Sequence, residues 1–232
     1  MIKIIRVLTY NIHHGEGISG ISLPETAAVI KKSSPDLVAL QEVDMFMPRS
    51  RFANQAKRLA KMLGLRYVYG RAESWCIVMR YGNAILSRSR ILRHNNLILS
   101  KVKERRALLC ARIKIGQYPD FYFLSTHLGL SSDERRTQVE KIAQIVNALK
   151  GPVILAGDFN TGPEAGEFKS LNGLLSFSML TIPTYPSHEP VYVVDNIMVS
   201  GHWSVLGAAT VKSQVSDHLP LIVDLECNYH KS

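Results

Sequence analysis

The stretch Val153-Ile154-Leu155-Ala156-Gly157-Asp158-Phe159-Asn160 decides how this chain is read. Its first four residues form a short apolar run without a polar alternate, which fits a strand covered on both faces. That strand ends on an acid and an amide two positions apart, Asp158 and Asn160. Towards the C-terminus, Ser216-Asp217-His218-Leu219-Pro220 sets another acid beside a histidine. Carboxylates supply the oxygen ligands that a hard divalent cation needs, and a carboxylate or imidazole can accept the proton of an attacking water. Together the two stretches carry what metal-assisted hydrolysis of a phosphate ester requires.

Working outward, Leu37 to Leu40 reads as a second strand covered on both faces. Short β-branched or aromatic runs bounded by Gly, Pro, Asp or Asn predict strands over Lys3–Tyr10, Leu37–Glu42, Asn83–Ser87, Ala107–Ile115, Phe121–His127, Val153–Ala156, Val193–Val199 and Leu219–Leu225. Three helices interrupt them. Ser22-Leu23-Pro24-Glu25 is a capping box with proline in the first turn, and that helix should stop before Ser34-Pro35. Phe52, Gln55, Ala56, Leu59 and Leu63 repeat at helical spacing up to Gly64. Ser131-Ser132-Asp133-Glu134 opens the third, with Val139, Ile142, Ala143, Val146 and Leu149 as its apolar face. The expected class is α/β: a four-layered sandwich of two mixed sheets packed face to face with helices outside. Such a sandwich gathers loops from several strand ends along one edge.

Composition bounds the rest. A chain of 232 residues that is 46% hydrophobic can bury a large core, and one domain over residues 1–232 accounts for it. No run of about eighteen apolar residues occurs, which argues against a membrane span. Lys3 and Arg6 interrupt the apolar N-terminal run, so it reads as a strand and not a signal peptide. Cys76, Cys110 and Cys227 are odd in number and far apart, which fits buried small hydrophobes in a reducing, cytoplasmic protein. The formal charge of +9 favours a polyanionic partner such as nucleic acid. Short basic clusters carry that charge (Arg49 and Arg51, Arg88 and Arg90, Lys101 to Arg106, Arg135 and Arg136), and a solvated surface explains most of them.

The strand ends share a chemistry. Asn11 follows the first strand, Glu42 the second, His127 a later one; Asp158 and Asn160 follow Val153–Ala156, and Asp195 lies within Val193–Val199. Asp217 and His218 precede the last strand. One polar residue at a strand end is ordinary turn chemistry. Six ends that all carry carboxylate, amide or imidazole point to a site built on loops of a rigid scaffold.

The ordered series Thr9-Tyr10-Asn11-Ile12, Leu40-Gln41-Glu42-Val43-Asp44, Tyr81-Gly82-Asn83-Ala84-Ile85-Leu86-Ser87, Ser125-Thr126-His127-Leu128, Gly157-Asp158-Phe159-Asn160, Val194-Asp195 and Ser216-Asp217-His218-Leu219-Pro220 resembles the endonuclease/exonuclease/phosphatase superfamily. The resemblance runs from about Val7 to Pro220. It implies the deoxyribonuclease I-like sandwich and hydrolysis of a phosphoester, and it leaves the substrate open.

By the same resemblance, Glu42 is the principal metal ligand with Asn11 beside it, and Asp217 is a further metal-proximal carboxylate. Mg²⁺ suits that set, Mn²⁺ is the other candidate, and either one or two ions fit the family's chemistry. Asp158 and Asn160 match the pair that orients water and phosphate. His218 matches the histidine at the phosphate, with Asp195 as its carboxylate partner. Asp158 and His218 both remain candidates for the base, and a paired His218 should have a raised pKa. His127 and Asn83 resemble phosphate-oxygen contacts. Thr-His-Leu at His127 leans towards the deoxyribonuclease I, sphingomyelinase and phosphatase branches. Arg49-Ser50 with Gln55, Glu104-Arg105, and Arg135 with Gln138 resemble small bacterial members.

Four further residues are candidate substrate contacts. Arg105 and Arg135 bring charge, and His13 and His14 follow Asn11 closely enough to reach a substrate. Arg135 and Gln138 lie three apart on one helical face, and bracing the first turn is the preferred reading for them. Asn196 stands where an aromatic residue is common in the family, and Pro183-Thr184-Tyr185-Pro186-Ser187 reads as a rigid turn. His94, His188, His202 and His230 are expected on the surface or in loops. The reading favoured is a metal-dependent phosphodiesterase on nucleic acid without an obligate protein partner. A phosphoesterase on a lipid headgroup or small metabolite is the alternative, and a dead nucleic-acid-binding protein is the third. No exposed hydrophobic hairpin is evident, which counts against the lipid version, and the intact set of acids and histidines counts against a dead site.

Overall fold

Strict alternation of buried side chains generates the architecture. In the strand Ile4–Asn11, Ile5 and Val7 face one core and Leu8 and Tyr10 another, and all four are buried. Leu37–Met47 repeats this, with Leu37 and Ala39 on one side and Val38 and Leu40 on the other. A strand with both faces covered reads as a continuous apolar run, which is why these segments show no polar alternate. The computed structural model describes residues 4–100, 104–116, 119–178 and 181–228. Lys3, Lys101 and His230, about which the sequence raised expectations, lie outside the described residues.

Two large sheets result. The first runs in the order Trp203–Thr210, Leu221–Cys227, Ile4–Asn11, Leu37–Met47, Arg80–Ser87, Arg66–Ser74, with the short Ala53–Asn54 also pairing with Leu37–Met47. The second runs Ser176–Phe177, Asp195–Val199, Val153–Asp158, Phe121–His127, Arg106–Lys114, Arg90–Ser100. Each has one parallel pair at its centre, Ile4–Asn11 with Leu37–Met47 and Phe121–His127 with Val153–Asp158. The flanking pairs are antiparallel.

Between the sheets lies the core that includes Val7, Leu37, Ile85, Phe123, Ile154, Ile197 and Val223. Helices Leu23–Lys32 and Gln55–Leu63 cover the outer face of the first sheet through Ala27, Ile30, Ala56 and Leu59. Helix Ser132–Ala148 covers the second through Val139, Ile142 and Val146, joined by Phe168 and Leu171. The α/β class and the four layers expected from the sequence are therefore present.

Local signals account for most boundaries. Ser22 caps the first helix by accepting from the Glu25 N–H, and Gly64 ends the second in the left-handed region at φ +67°. Phe52, counted with that helix from its spacing, instead precedes it at φ +55° and is exposed; Asn54 is the cap. Arg66–Ser74, Arg90–Ser100 and Trp203–Thr210 had no clear strand signal because each lies at or beside a sheet edge and mixes polar with apolar side chains. Charge on such strands, as at Arg90 and Arg93, also discourages pairing with a second chain.

Two expectations fail. Cys76 is exposed and Cys110 and Cys227 are half-buried, so the cysteines are not three core residues. The hairpin joining Arg66–Ser74 to Arg80–Ser87 exposes Trp75, Ile77 and Val78, so an exposed apolar hairpin does exist. His94 and His188 are exposed, and His202 is half-buried beside Ser200. Among the described residues no helix is long and apolar enough to cross a membrane.

Gly157 sits where the central parallel pair of the second sheet leads into Asp158. A Cβ added there would lie 2.1 Å from the Thr126 carbonyl oxygen, which is backbone and cannot swing aside. Gly157→Ala should lower stability by about 1–3 kcal/mol, the usual cost of overpacking. Urea unfolding checks this, and an unchanged midpoint would mean that the strand pair has slack there.

Candidate active site

Along the inter-sheet layer, the inward positions change from apolar to polar in one direction. Ile5 and Val7 are followed by Thr9 and Asn11, Ala39 by Gln41, Phe123 by Ser125 and His127, and Ala156 by Asp158. The antiparallel strands enter from the same end, with Asn83 ahead of Ile85 and Asp195 ahead of Ile197. All these polar residues are buried, so each needs a partner. Thr9 Oγ1 donates to Gln41 Oε1 at 3.3 Å, and Gln41 Nε2 donates to Ser125 Oγ of the opposite sheet at 3.3 Å. Asn83 Nδ2 donates to the Ala107 carbonyl at 3.0 Å. The polar end of the core thus stitches the sheets together and opens into a cavity of about 420 Å³.

Asn11, Glu42, Glu104, Arg106, His127, Asp158, Asn160, Asp217 and His218 line that cavity, with Leu130, Tyr185, Tyr192 and Val194 as its apolar wall. A bulge presents Glu42: pairing with Arg80–Ser87 shifts register between Leu40 and Val43, and Glu42 adopts φ +59°. Asn160 is likewise left-handed, at φ +52°, which an asparagine tolerates. Asn11 couples the sheets, since its Nδ2 donates to Glu42 Oε1 at 3.1 Å and to Asp158 Oδ2 at 3.0 Å. Its Oδ1 accepts from the His13 N–H at 3.0 Å, which leaves one of its two lone pairs for a further partner. The carboxylates of Glu42 and Asp217, both reaching the cavity, are donors of the hard-oxygen type that suits Mg²⁺ or Mn²⁺.

Asp158 is fully buried, and its Oδ1 accepts from the Asn160 N–H at 2.9 Å. Burial and the nearby Asp195 charge push its carboxyl up to about 7, against the opposing pull of His218 and its two hydrogen bonds. His218 Nε2 lies 3.7 Å from Asp158 Oδ2, and His218 Nδ1 lies 2.7 Å from Asp195 Oδ2. Burial alone would lower the His218 pKa, but Asp195, Asp158 and Asp217 outweigh it and raise it to about 10. The imidazolium form therefore prevails near neutrality. Thr184 Oγ1 donates to the same Asp195 oxygen at 2.6 Å, and the Tyr185 ring packs 4.8 Å from the His218 ring.

His127 has the opposite electrostatics. Its Nδ1 is 3.1 Å from Arg106 Nη1, and its Nε2 is 3.0 Å from Asn160 Nδ2. Nδ1 thus faces the Arg106 guanidinium, where an imidazolium would have to present a proton of its own, while Nε2 also lies 3.4 Å from Asp158 Oδ2. Burial, Arg106 and His218 hold its pKa well below the ordinary value, and the ring stays neutral. Two histidines of one cavity are in this way driven to different charge states.

Of the residues singled out in the sequence, Asn11, Glu42, His127, Asp158, Asn160, Asp217 and His218 come together on the cavity wall. Asn83 and Asp195 stand behind it, buried. Arg105 is half-exposed, 3.7 Å from Glu73, and its neighbour Arg106 is the cation that lines the cavity. Arg135 is buried and pairs with Glu167 at 2.9 Å while donating to the Gly129 and Leu130 carbonyls. Gln138 accepts from the Gly129 N–H at 2.8 Å, so this pair braces the loop after His127. His13 and His14 lie beside Glu42, with His13 Nδ1 3.9 Å from Asp217 Oδ1. Sequence reading missed Arg106 and Tyr192, and marked Glu104 only through its resemblance to small bacterial members. Arg106 was hidden in a basic cluster assigned to the surface, and only its place at the head of the strand Arg106–Lys114 marks it out.

Second-layer contacts hold the Glu42 bulge. Gln55 Oε1 accepts from the Asp44 N–H at 2.9 Å, and Gln55 Nε2 donates to the His14 carbonyl at 2.6 Å. Arg49 binds the fully buried Asp44 carboxylate in bidentate fashion, at 2.8 and 2.9 Å.

Comparison with known proteins bears on the fold around this cavity. The chain resembles an endonuclease/exonuclease/phosphatase from Beutenbergia cavernae at 21% identity, with a TM-score of 0.80 over 97% of this chain and 72% of that one. A family protein from Bacteroides thetaiotaomicron superposes with a TM-score of 0.84 at 17% identity, over 99% and 100% of the two chains. A mannosyl-6-phosphatase from the same organism gives 0.79 at 18% identity, over 95% and 99%. Likeness at these identities is likeness of fold. No curated protein matches the sequence. The sequence pattern of the Endonuclease/Exonuclease/phosphatase family, a family of phosphoester hydrolases, matches residues 8–218. With that pattern across most of its length and that fold around its cavity, the chain belongs to the endonuclease/exonuclease/phosphatase family.

Proposed function

We propose that the protein is a divalent-metal-dependent phosphodiesterase that cleaves nucleic acid by in-line attack of water on phosphorus. The observation that carries this reading is His218 set between two carboxylates, 2.7 Å from Asp195 and 3.7 Å from Asp158, on the wall of an acid-lined cavity. Glu42 and Asp217 would hold the hard ion, which neutralises charge on the phosphate. Asp158 is the base: its carboxyl titrates near neutrality, where a general base works best, and Asn11 and Asn160 fix its orientation. His218 is already protonated, so its role is to stabilise charge developing on a non-bridging oxygen. Asp195 keeps that proton on the ring and Thr184 keeps Asp195 in place.

Arg106, paired through Nη2 with Glu104 at 3.0 Å, adds a guanidinium, and its buried Nε–H has no partner among the described residues, which leaves a donor for a phosphate oxygen. Neutral His127 and Asn160 complete the wall. The net charge of +9 draws in a polyanion, and Tyr192, largely exposed at the rim, offers a face on which a base can stack. The exposed Trp75-Ile77-Val78 tip favours a second reading, a lipid phosphodiester presented at a membrane surface.

Purified protein should nick supercoiled plasmid, or cut single-stranded DNA or RNA, with Mg²⁺ or Mn²⁺ and not with chelator. Asp158→Asn and His218→Ala should each lower kcat by about 10²–10⁴-fold. Hydrolysis of a lipid or small phosphodiester with no attack on any nucleic acid would keep the chemistry and reject the substrate.

The pH–rate profile should be a bell. Activity rises through neutrality as Asp158 loses its proton and falls towards pH 10 as His218 loses its own. The two limbs belong to the interacting pair. Asp195 raises both pKa values, so Asp195→Asn should move both limbs to lower pH. A displacement of one limb alone would show that the two groups are not coupled through Asp195.

A further inference from the structure

We propose that His13, His14 and Glu42 form a nitrogen-containing metal site that takes a borderline transition ion such as Mn²⁺, Co²⁺ or Zn²⁺ in preference to Mg²⁺. One ligand atom from each of the three residues lies within 4.8 Å of the others. Two imidazoles and a carboxylate are a donor set of transition-metal type, whereas Mg²⁺ prefers oxygen throughout. Glu42 has two oxygens, one of them engaged by Asn11, and although Tyr81 also reaches the carboxylate its remaining lone pairs can serve this ion and the hard ion together. The inference shares Glu42 with the hydrolytic reading and otherwise stands apart from it.

An independent observation points to a ligand here. His14 is 6% exposed, and its Nε2 lies 2.8 Å from Glu16 Oε2, yet its buried Nδ1 has no hydrogen-bond partner among the described residues. Such an orphan costs about 1–3 kcal/mol in a folded protein. A carboxylate on one ring nitrogen with the other left bare is the arrangement by which proteins orient and strengthen a metal-ligating histidine. The backbone is bent to achieve it. His13 and His14 are consecutive non-glycine residues at φ +42° and +45°, held there by the Asn11 Oδ1 contact to the His13 N–H and by Gln55 on the His14 carbonyl. Strain of this kind is kept where a side chain must point in a set direction. Arg49 lies near His14, but its charge is neutralised by its bidentate pair with buried Asp44.

Pulsed electron spin resonance of the chelator-stripped full chain with added Mn²⁺ tests the site directly. Wild type should show coupling from directly bound imidazole nitrogen, and His13→Ala should lose most of it. Calorimetry with Zn²⁺ should find Glu16→Gln about 10–100-fold weaker, the usual effect of removing a carboxylate behind a ligating histidine. Glu16 is largely exposed and His13 half-exposed, so both variants should fold. Absence of nitrogen coupling in wild type, or unchanged Zn²⁺ affinity in both variants, overturns the proposal. Asp158→Asn separates the two readings: it should abolish hydrolysis and leave the nitrogen coupling intact. Coupling without hydrolysis of any phosphoester would retain this site and reject the enzyme.

Discussion

A carboxylate buried between two sheets is the constraint around which this protein is organised. Asp158 belongs to the second sheet, its side-chain amide donor Asn11 to the first, and His218 to the segment leading into the first sheet's Leu221–Cys227 strand. A charge at that depth is unfavourable unless donors and a countercharge surround it. The protein meets this by placing the fixed cation of His218 within reach and by raising the carboxyl's own pKa. The sheets must then close in one register, since a slip of one residue would turn Asn11, Asp158 and their neighbours to the wrong face.

The bracing follows from that demand. Gln41 with Ser125, and Asn83 with the Ala107 carbonyl, tie the sheets just beneath the cavity. Gln55 and Arg49 secure the bulged end of Leu37–Met47 from the helical side, and Arg135 with Gln138 secures the loop after His127. Arg135, which can be taken for a substrate contact when read in one dimension, is therefore a support, because a side chain close in sequence to a site can still point into the layer behind it.

How much could be read beforehand differs by layer. The four-layered fold was legible because both-face burial writes itself as the apolar runs Val153–Ala156 and Leu37–Leu40. The cavity's acids and histidines were legible because they end those runs, which places them on one edge whatever the loops do. The half-covered strands Arg90–Ser100 and Trp203–Thr210 were not, since an edge strand has neither a continuous run nor a clean alternation. Nor was the choice between Arg105 and Arg106: a one-residue difference in which cation turns inward is decided by the local twist at a strand end. The opposite charge states of His127 and His218 were only half visible, because Asp195 beside His218 could be expected from pattern, while Arg106 beside His127 could not.

The order of the first sheet has a consequence for how the chain matures. Its first strand lies between Leu37–Met47 and the last strand, with Ile4 opposite Glu226. Ile4–Asn11 must wait for Leu221–Cys227 to be made before it gains its second neighbour, and pairings so distant in sequence form slowly. His218 arrives in the same late event, immediately ahead of that closing strand. A nascent chain therefore carries Asp158 without its cation, and the cavity is assembled only with completion of the sheet.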